Sequence, residues 1–163
     1  MIGLGQNFSG IGQFAIAEVP SGSECFLVAE VIKEIPDKDL FFIARDEMRM
    51  AAMSDALSII APAEKILQFP AWDCLPYDRV SPKRQVAARR MKTLSQLVEE
   101  GQRSRVVLLS TCNASLQRIP NGVNLQGEQR SASSGDIINV TEFATYLSAK
   151  GYSRSGQVME PGE

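Results

Sequence analysis

The sequence predicts an α/β protein built on a parallel sheet with helices on its faces. Two observations carry that expectation. Up to about Gln117, short apolar runs alternate with segments of helical period, which is the pattern of βαβ units. The runs are also continuous rather than alternating, Leu40-Phe41-Phe42-Ile43-Ala44 above all, as suits strands covered on both faces. The 163 residues, 44% hydrophobic and 22% charged, suffice for one domain with a real core and a small extension.

Each element has its own local reason. Phe14-Ala15-Ile16-Ala17, leading into Glu18-Val19, reads as a first strand. The turn Pro20-Ser21-Gly22-Ser23-Glu24 follows, where Ser21 and Glu24 have capping-box spacing for a helix from about Glu24 to Glu34. Pro36-Asp37 ends it, and Leu40 to Ala44 is the second strand. A helix from about Asp46 to Ile60 places Met50, Met53, Leu57 and Ile60 on one side at helical spacing, and core packing is the better reading of that stripe than a partner surface. Lys65 to Phe69 is a third strand, followed by a long loop from Pro70 to Val80. Ser81-Pro82 suits a helix start, with serine as cap and proline where its missing N–H matters least. That helix runs to about Glu100 with Ala87, Met91, Leu94 and Val98 inward, and Arg105 to Ser110 is a fourth strand. Asn121 to Asp136 is polar and rich in Gly, Ser, Asn and Gln, as linkers are. A short helix from about Val140 to Lys150 and a possible strand from Ser155 to Met159 complete the chain.

Composition excludes several chemistries. Seventeen basic against nineteen acidic residues give a net charge of −2, unlike a chain devoted to gripping nucleic acid. There is no histidine, which removes Ser-His-Asp and Cys-His catalysis together with every histidine metal ligand. Cys25, Cys74 and Cys112 are scattered and form no C-x-x-C pair, so neither a zinc site nor a disulfide framework is expected, and a reducing cytoplasmic compartment is. The N-terminus has no signal-peptide pattern, and no run approaches the roughly 18 apolar residues of a membrane helix.

Three constellations remain. The first βα turn of such a sheet is where phosphate ordinarily sits on a helix N-terminus. Here Ser21, Gly22, Ser23 and Glu24 supply one glycine, no lysine and a carboxylate that repels phosphate, so a plain strand-to-helix turn without nucleotide is expected. The loop PAWDCLPYDRVSP carries Trp72, Asp73, Pro76, Tyr77 and Asp78. Its prolines fix shape and its aromatic rings anchor it, so a structural or docking role is expected over an Asp73/Asp78 acid pair. Lys83, Arg84, Arg89, Arg90 and Lys92 cluster on the following helix and read as a solvated face more readily than as a phosphate grip.

The run FPAWDCLPYDRVSPKRQVAARRMKTLSQL, the following VVLLSTCNASLQRIP and the later GDIINVTEFATYLSAKGYSRSGQVMEPGE together resemble the N-terminal module of the bacterial transcription-repair coupling factors (Mfd). The resemblance implies a helicase-like domain 1a similar to that of the excision-repair protein UvrB over residues 1–118, a linker over 119–136, and the start of a UvrA-binding domain 2 over 137–163. It implies a degenerate P-loop at Ser21, Gly22, Ser23 and Glu24, and no catalytic residue, metal or cofactor in this chain. ATP and Mg²⁺ belong to a motor that this sequence lacks. Tyr152 and Arg154 match a Tyr-x-Arg of UvrB whose arginine belongs to the UvrA-binding face. The chain stops at Glu163 where relatives continue through domain 2, so a truncated, non-catalytic recruitment module is expected. Its partners would be UvrA, weakly, and the rest of the coupling factor, with RNA polymerase and DNA reached only through absent regions. The rival reading is a small nucleotide-binding enzyme on a Rossmann-like sheet, and the missing lysine of the first turn speaks against it.

Overall fold

Strands form over the apolar runs at Leu40–Ala44, Ile66–Phe69 and Val107–Thr111, and helices form in the segments around them. The computed structural model describes residues 12–13, 15–75, 79, 81–100, 105–122, 130 and 132–157. In chain order the elements are α1 (Glu24–Glu34), β1 (Leu40–Ala44), α2 (Glu47–Ile60), β2 (Ile66–Phe69), α3 (Arg84–Glu100), β3 (Val107–Thr111), α4 (Cys112–Ser115) and α5 (Val140–Ala149). Among the described residues the strands make one parallel sheet in the order β1-β3-β2. Leu40 and Ile66 both lie opposite Val107, so the three strands start level. This is the α/β architecture the sequence predicts, and it is consistent with a UvrB-like domain 1a.

Strand parity decides what each face buries. Val107 and Leu109 of the central strand point to one face, where they join Ala44 and the α1 and α2 residues Cys25, Ala29, Ile32, Met50, Met53 and Leu57 in the main core. The methionine stripe of α2 is therefore core. On the other face, α3 lays Leu94 and Val98 against Phe69 and Leu108, with Ala114 of α4 beside them. That cover stops short of β1, whose Phe41 and Ile43 remain 53% and 50% exposed. Because Leu40 N–H donates to the Val106 carbonyl, the alternation of a parallel ladder turns the main-chain groups of Phe41 and Ile43 away from β3.

Polar side chains fasten the ends of the elements. Asp46 caps α2 by accepting from the Arg49 N–H at 2.8 Å, and that bond, with the Arg45 side chain, holds its carboxyl below the ordinary range. Asp39 accepts from the Val106 N–H at 2.8 Å. Arg105 reaches furthest: it donates to the carbonyls of Ile32 at 2.8 Å and Ile35 at 3.3 Å, and its fork grips both oxygens of Glu64. One guanidinium thus joins the end of α1, the approach to β2 and the approach to β3. α5 is framed at both ends. Asn139 accepts from the N–H groups of Thr141 and Glu142, while Gly151, at φ 87°, lets Tyr152 N–H reach the Leu147 carbonyl at 3.0 Å.

The structure corrects several local expectations. Residues 15–20 form no strand: Ile16 is half-exposed and Glu18 sits at φ 59°, which turns the chain out of extended geometry. Ala15 and Ala17 offer little apolar surface and Ile16 is half-exposed, so this stretch buries too little to hold itself in a ladder. The cap of α1 is Ser23 without a side-chain bond, and the Ser21 capping box does not form, because the Glu24 carboxylate receives the Gly22 N–H instead. α3 begins at Arg84 rather than at Ser81-Pro82, and it turns Arg90 inward while Met91 is 42% exposed. The expected strand from Ser155 is irregular through residue 157, and its remainder lies outside the described residues. The short α4 had no sequence signal; Thr111 makes it by accepting from the Ala114 N–H.

Candidate functional site

The turn before α1 places Ser21, Gly22, Ser23 and Glu24 beside the C-terminal end of β1, next to a cleft of about 280 Å³ lined by Gly22, Glu24, Cys25, Arg45, Arg49 and Met53 among others. Gly22, at φ 88°, supplies the bend. The donors that could hold a phosphate already hold a carboxylate. Gly22 N–H donates to Glu24 Oε2 at 2.7 Å, and Arg49 Nη1 lies 3.3 Å from Glu24 Oε1. Glu24's own amide, the Gly22 amide and the Arg49 charge hold its carboxyl below the usual range, so it is an anion at neutral pH.

The tryptophan loop is organised by a residue that the sequence pattern assigned to the surface. Arg90 is 2% exposed. Its guanidinium lies between two rings, with Cζ 4.1 Å from the centroid of Phe69 and 4.3 Å from that of Trp72. It donates to the Pro70 carbonyl at 2.6 Å and to Gln117 Oε1 at 3.0 Å, and the same Gln117 oxygen accepts from the Trp72 N–H. Burial lowers the Arg90 pKa, yet a guanidinium stays charged at neutral pH. Asp73 Oδ1 accepts from the Lys83 N–H at 3.1 Å and so closes the loop onto the start of α3. Pro76, Tyr77 and Asp78 lie outside the described residues. Trp72 is half-buried, so Trp72→Ala is expected to destabilise by about 2 kcal/mol, less than the roughly 3–5 kcal/mol of a fully buried ring. Urea denaturation checks this, and a loss beyond about 4 kcal/mol would show that the ring is sealed in solution.

With Arg90 withdrawn, the basic cluster of α3 is smaller than it reads. Arg89 and Lys92 face a groove of about 420 Å³ between α2, β2 and α3 that also holds Glu47, whose carboxylate accepts from the Ala71 N–H. A groove of mixed charge does not track a phosphate backbone. Thr93 donates to the Gln68 carbonyl at 2.6 Å along the same groove.

Tyr152 and Arg154 follow the end of α5 in irregular backbone, and both are exposed, Tyr152 at 45%. The structure thus gathers the turn residues at the end of β1 and gathers Trp72 and Asp73 with Arg90 and Gln117. Tyr152 and Arg154 stand beyond α5. Gln117 and the inward turn of Arg90 escaped the sequence reading. The available signal was that Ala87, Arg90, Leu94 and Val98 also share one helix face, close in sequence to two aromatic rings. Among the described residues no group of three or more Cys, Asp or Glu could hold a metal, and no helix is long and apolar enough to cross a membrane.

No family model matches the chain. It is 28% identical over 143 residues to the transcription-repair-coupling factor of Escherichia coli and 26% identical over 149 residues to that of Haemophilus influenzae, covering 88% and 91% of this chain. The factor of Rickettsia conorii is 21% identical over 144 residues. The chain spans about 12% of the length of the first two relatives. Along most of its length, therefore, this chain is similar to the transcription-repair-coupling factors.

Proposed function

We propose that the chain is a non-catalytic recruitment module of transcription-coupled nucleotide excision repair: a UvrB-like piece of a coupling factor that helps bring UvrA to RNA polymerase stalled at DNA damage. The observation that carries this reading is the match to coupling factors over 143 and 149 residues. Translocation driven by ATP and Mg²⁺, together with contact with polymerase and DNA, belongs on this reading to parts of the longer relatives outside this chain. We divide the chain into a domain 1a over residues 1–118, a linker over 119–136 and the start of domain 2 over 137–163. The placement of the main core between Cys25 and Leu109 and the absence of any buried residue in α5 support that division. We place the module in the cytoplasm, in keeping with three free cysteines.

The turn at Ser21, Gly22, Ser23 and Glu24 is on this reading a degenerate P-loop, and Glu24 is what fills it. The purified chain is expected to show no saturable binding of ATP with magnesium by calorimetry and no hydrolysis above buffer. A micromolar isotherm abolished by changing Ser23 and Glu24 would reinstate the nucleotide-binding enzyme.

Tyr152 and Arg154 are the residues we assign to the UvrA contact. Arginine suits it because its planar fork pairs with a carboxylate through two parallel hydrogen bonds. Binding to UvrA is expected to be weak, to fall about tenfold in Arg154→Glu and to weaken with salt. A titration in which Arg154→Glu binds as well as the parent removes Arg154 from the site.

A further inference from the structure

The two outer strands of the sheet, β1 and β2, have edges of different kinds. At β1 the α3 cover stops short and the strand carries no charge. β2 instead forms the floor of the groove of about 420 Å³, with α2 as one wall and α3 as the other. Val107 N–H donates to the Lys65 carbonyl at 3.0 Å, so the alternation of the parallel ladder turns the main-chain groups of Ile66 and Gln68 away from β3. Thr93 takes the Gln68 carbonyl, which leaves Ile66 as the residue where a further strand can bond to both an N–H and a C=O. The walls differ in chemistry. α3 presents Arg89, Lys92 and Gln96, and α2 presents Ala51 and Glu47. Arg89 and Lys92 are exposed, and among the described residues neither holds an ion pair. The Glu47 carboxylate already accepts from the Ala71 N–H at 3.2 Å. The unengaged charge of the groove is therefore positive and lies on the α3 side.

We propose that the outer edge of β2 is a docking groove for an extended, acidic segment of a protein partner, added to the sheet as a further strand. Main-chain pairing at Ile66 supplies the alignment, and side chains pointing alternately to the two walls supply the selectivity. Ile66 and Gln68 face α2: Ile66 packs against the main core, and the Gln68 amide donates to Ser54 Oγ at 2.7 Å. A residue paired beside Ile66 shares that face and meets Ala51, where a small apolar side chain fits. Its two neighbours in the segment point to the α3 wall, where their carboxylates meet Arg89 and Lys92. The favoured segment thus reads acidic, apolar, acidic. A single-stranded nucleic acid fits less well, because no described lining residue is an aromatic platform for bases and Glu47 opposes phosphate. None of these residues belongs to the contact assigned to UvrA, so the groove stands or falls independently of that assignment.

The test titrates the whole chain, labelled for amide NMR, with a capped peptide of alternating glutamate and valine. Two altered peptides accompany it, one with lysine in place of glutamate and one methylated on all its main-chain nitrogens, together with an oligo-dT. The glutamate peptide is expected to bind at low ionic strength, to weaken with salt and to shift the amide signals of Ile66 and Gln68. The lysine peptide and the methylated peptide are each expected to bind at least about tenfold more weakly, the first for want of carboxylates and the second for want of donors to the strand. Arg89→Glu combined with Lys92→Glu is expected to cost about tenfold as well. Both positions are exposed and glutamate favours a helix as much as they do, and circular dichroism confirms that α3 persists. The groove is overturned if the glutamate peptide does not bind, or if the methylated or the lysine peptide binds as well as it does. It is also overturned if the shifts fall on Phe41 and Ile43 instead, or if oligo-dT binds more tightly.

Discussion

Arg90→Ala is expected to lower stability by about 4 kcal/mol, because it leaves the Pro70 carbonyl without its donor, strips Gln117 of one of its two bonds and opens a void between Phe69 and Trp72. Arg90 as a whole is 2% exposed, so water does not simply replace what is lost. Arg90→Lys keeps the charge but lacks the flat face that lies between the two rings, and recovers only a minor part of the loss. Equilibrium urea unfolding measures both variants. An Arg90→Ala protein that melts within a degree or two of the parent would show that the loop is held by something other than this cation.

The second large effect is expected at Arg105. Changing it to methionine, which keeps much of the stem, should destabilise by about 3 kcal/mol, since Glu64 then keeps a poorly hydrated charge and two carbonyls at the end of α1 lose their donor. The two side chains are 17% and 19% exposed, so screening moderates the pair without removing it. Glu64→Gln should cost clearly less, because Arg105 retains the Ile32 and Ile35 carbonyls. A double-mutant cycle separates the two contributions, and equal losses for the two single changes would mean that the carbonyl contacts contribute nothing.

How far the sequence could be read follows from how local each signal is. The helix from Glu24 to Glu34 was legible to the residue because a turn and a proline bracket it, and β1 because five apolar residues in a row admit little else. The strand expected near Ile16 failed for the opposite reason: a strand exists only with a ladder partner, and nothing inside Phe14 to Val19 reports whether one is present. Arg90 and Met91 are adjacent on α3, and hydrophobicity favours burying Met91. The choice is made instead by Phe69, Trp72 and Gln117, which come from two other parts of the chain. The first turn was legible as a place without lysine, yet only the structure shows that Glu24 occupies its donors.

The outward main-chain groups of Phe41 and Ile43, with two half-exposed apolar side chains beside them, have a consequence for the behaviour of the chain in a tube rather than for its fold. Among the described residues nothing pairs with this edge. An unpaired strand edge is a template for any extended segment that meets it, and β1 carries no proline and no charge to discourage growth. This edge is therefore expected to limit shelf life and attainable concentration independently of the melting temperature. Two variants of equal stability, one of them with lysine at position 41, will differ in how long they stay clear.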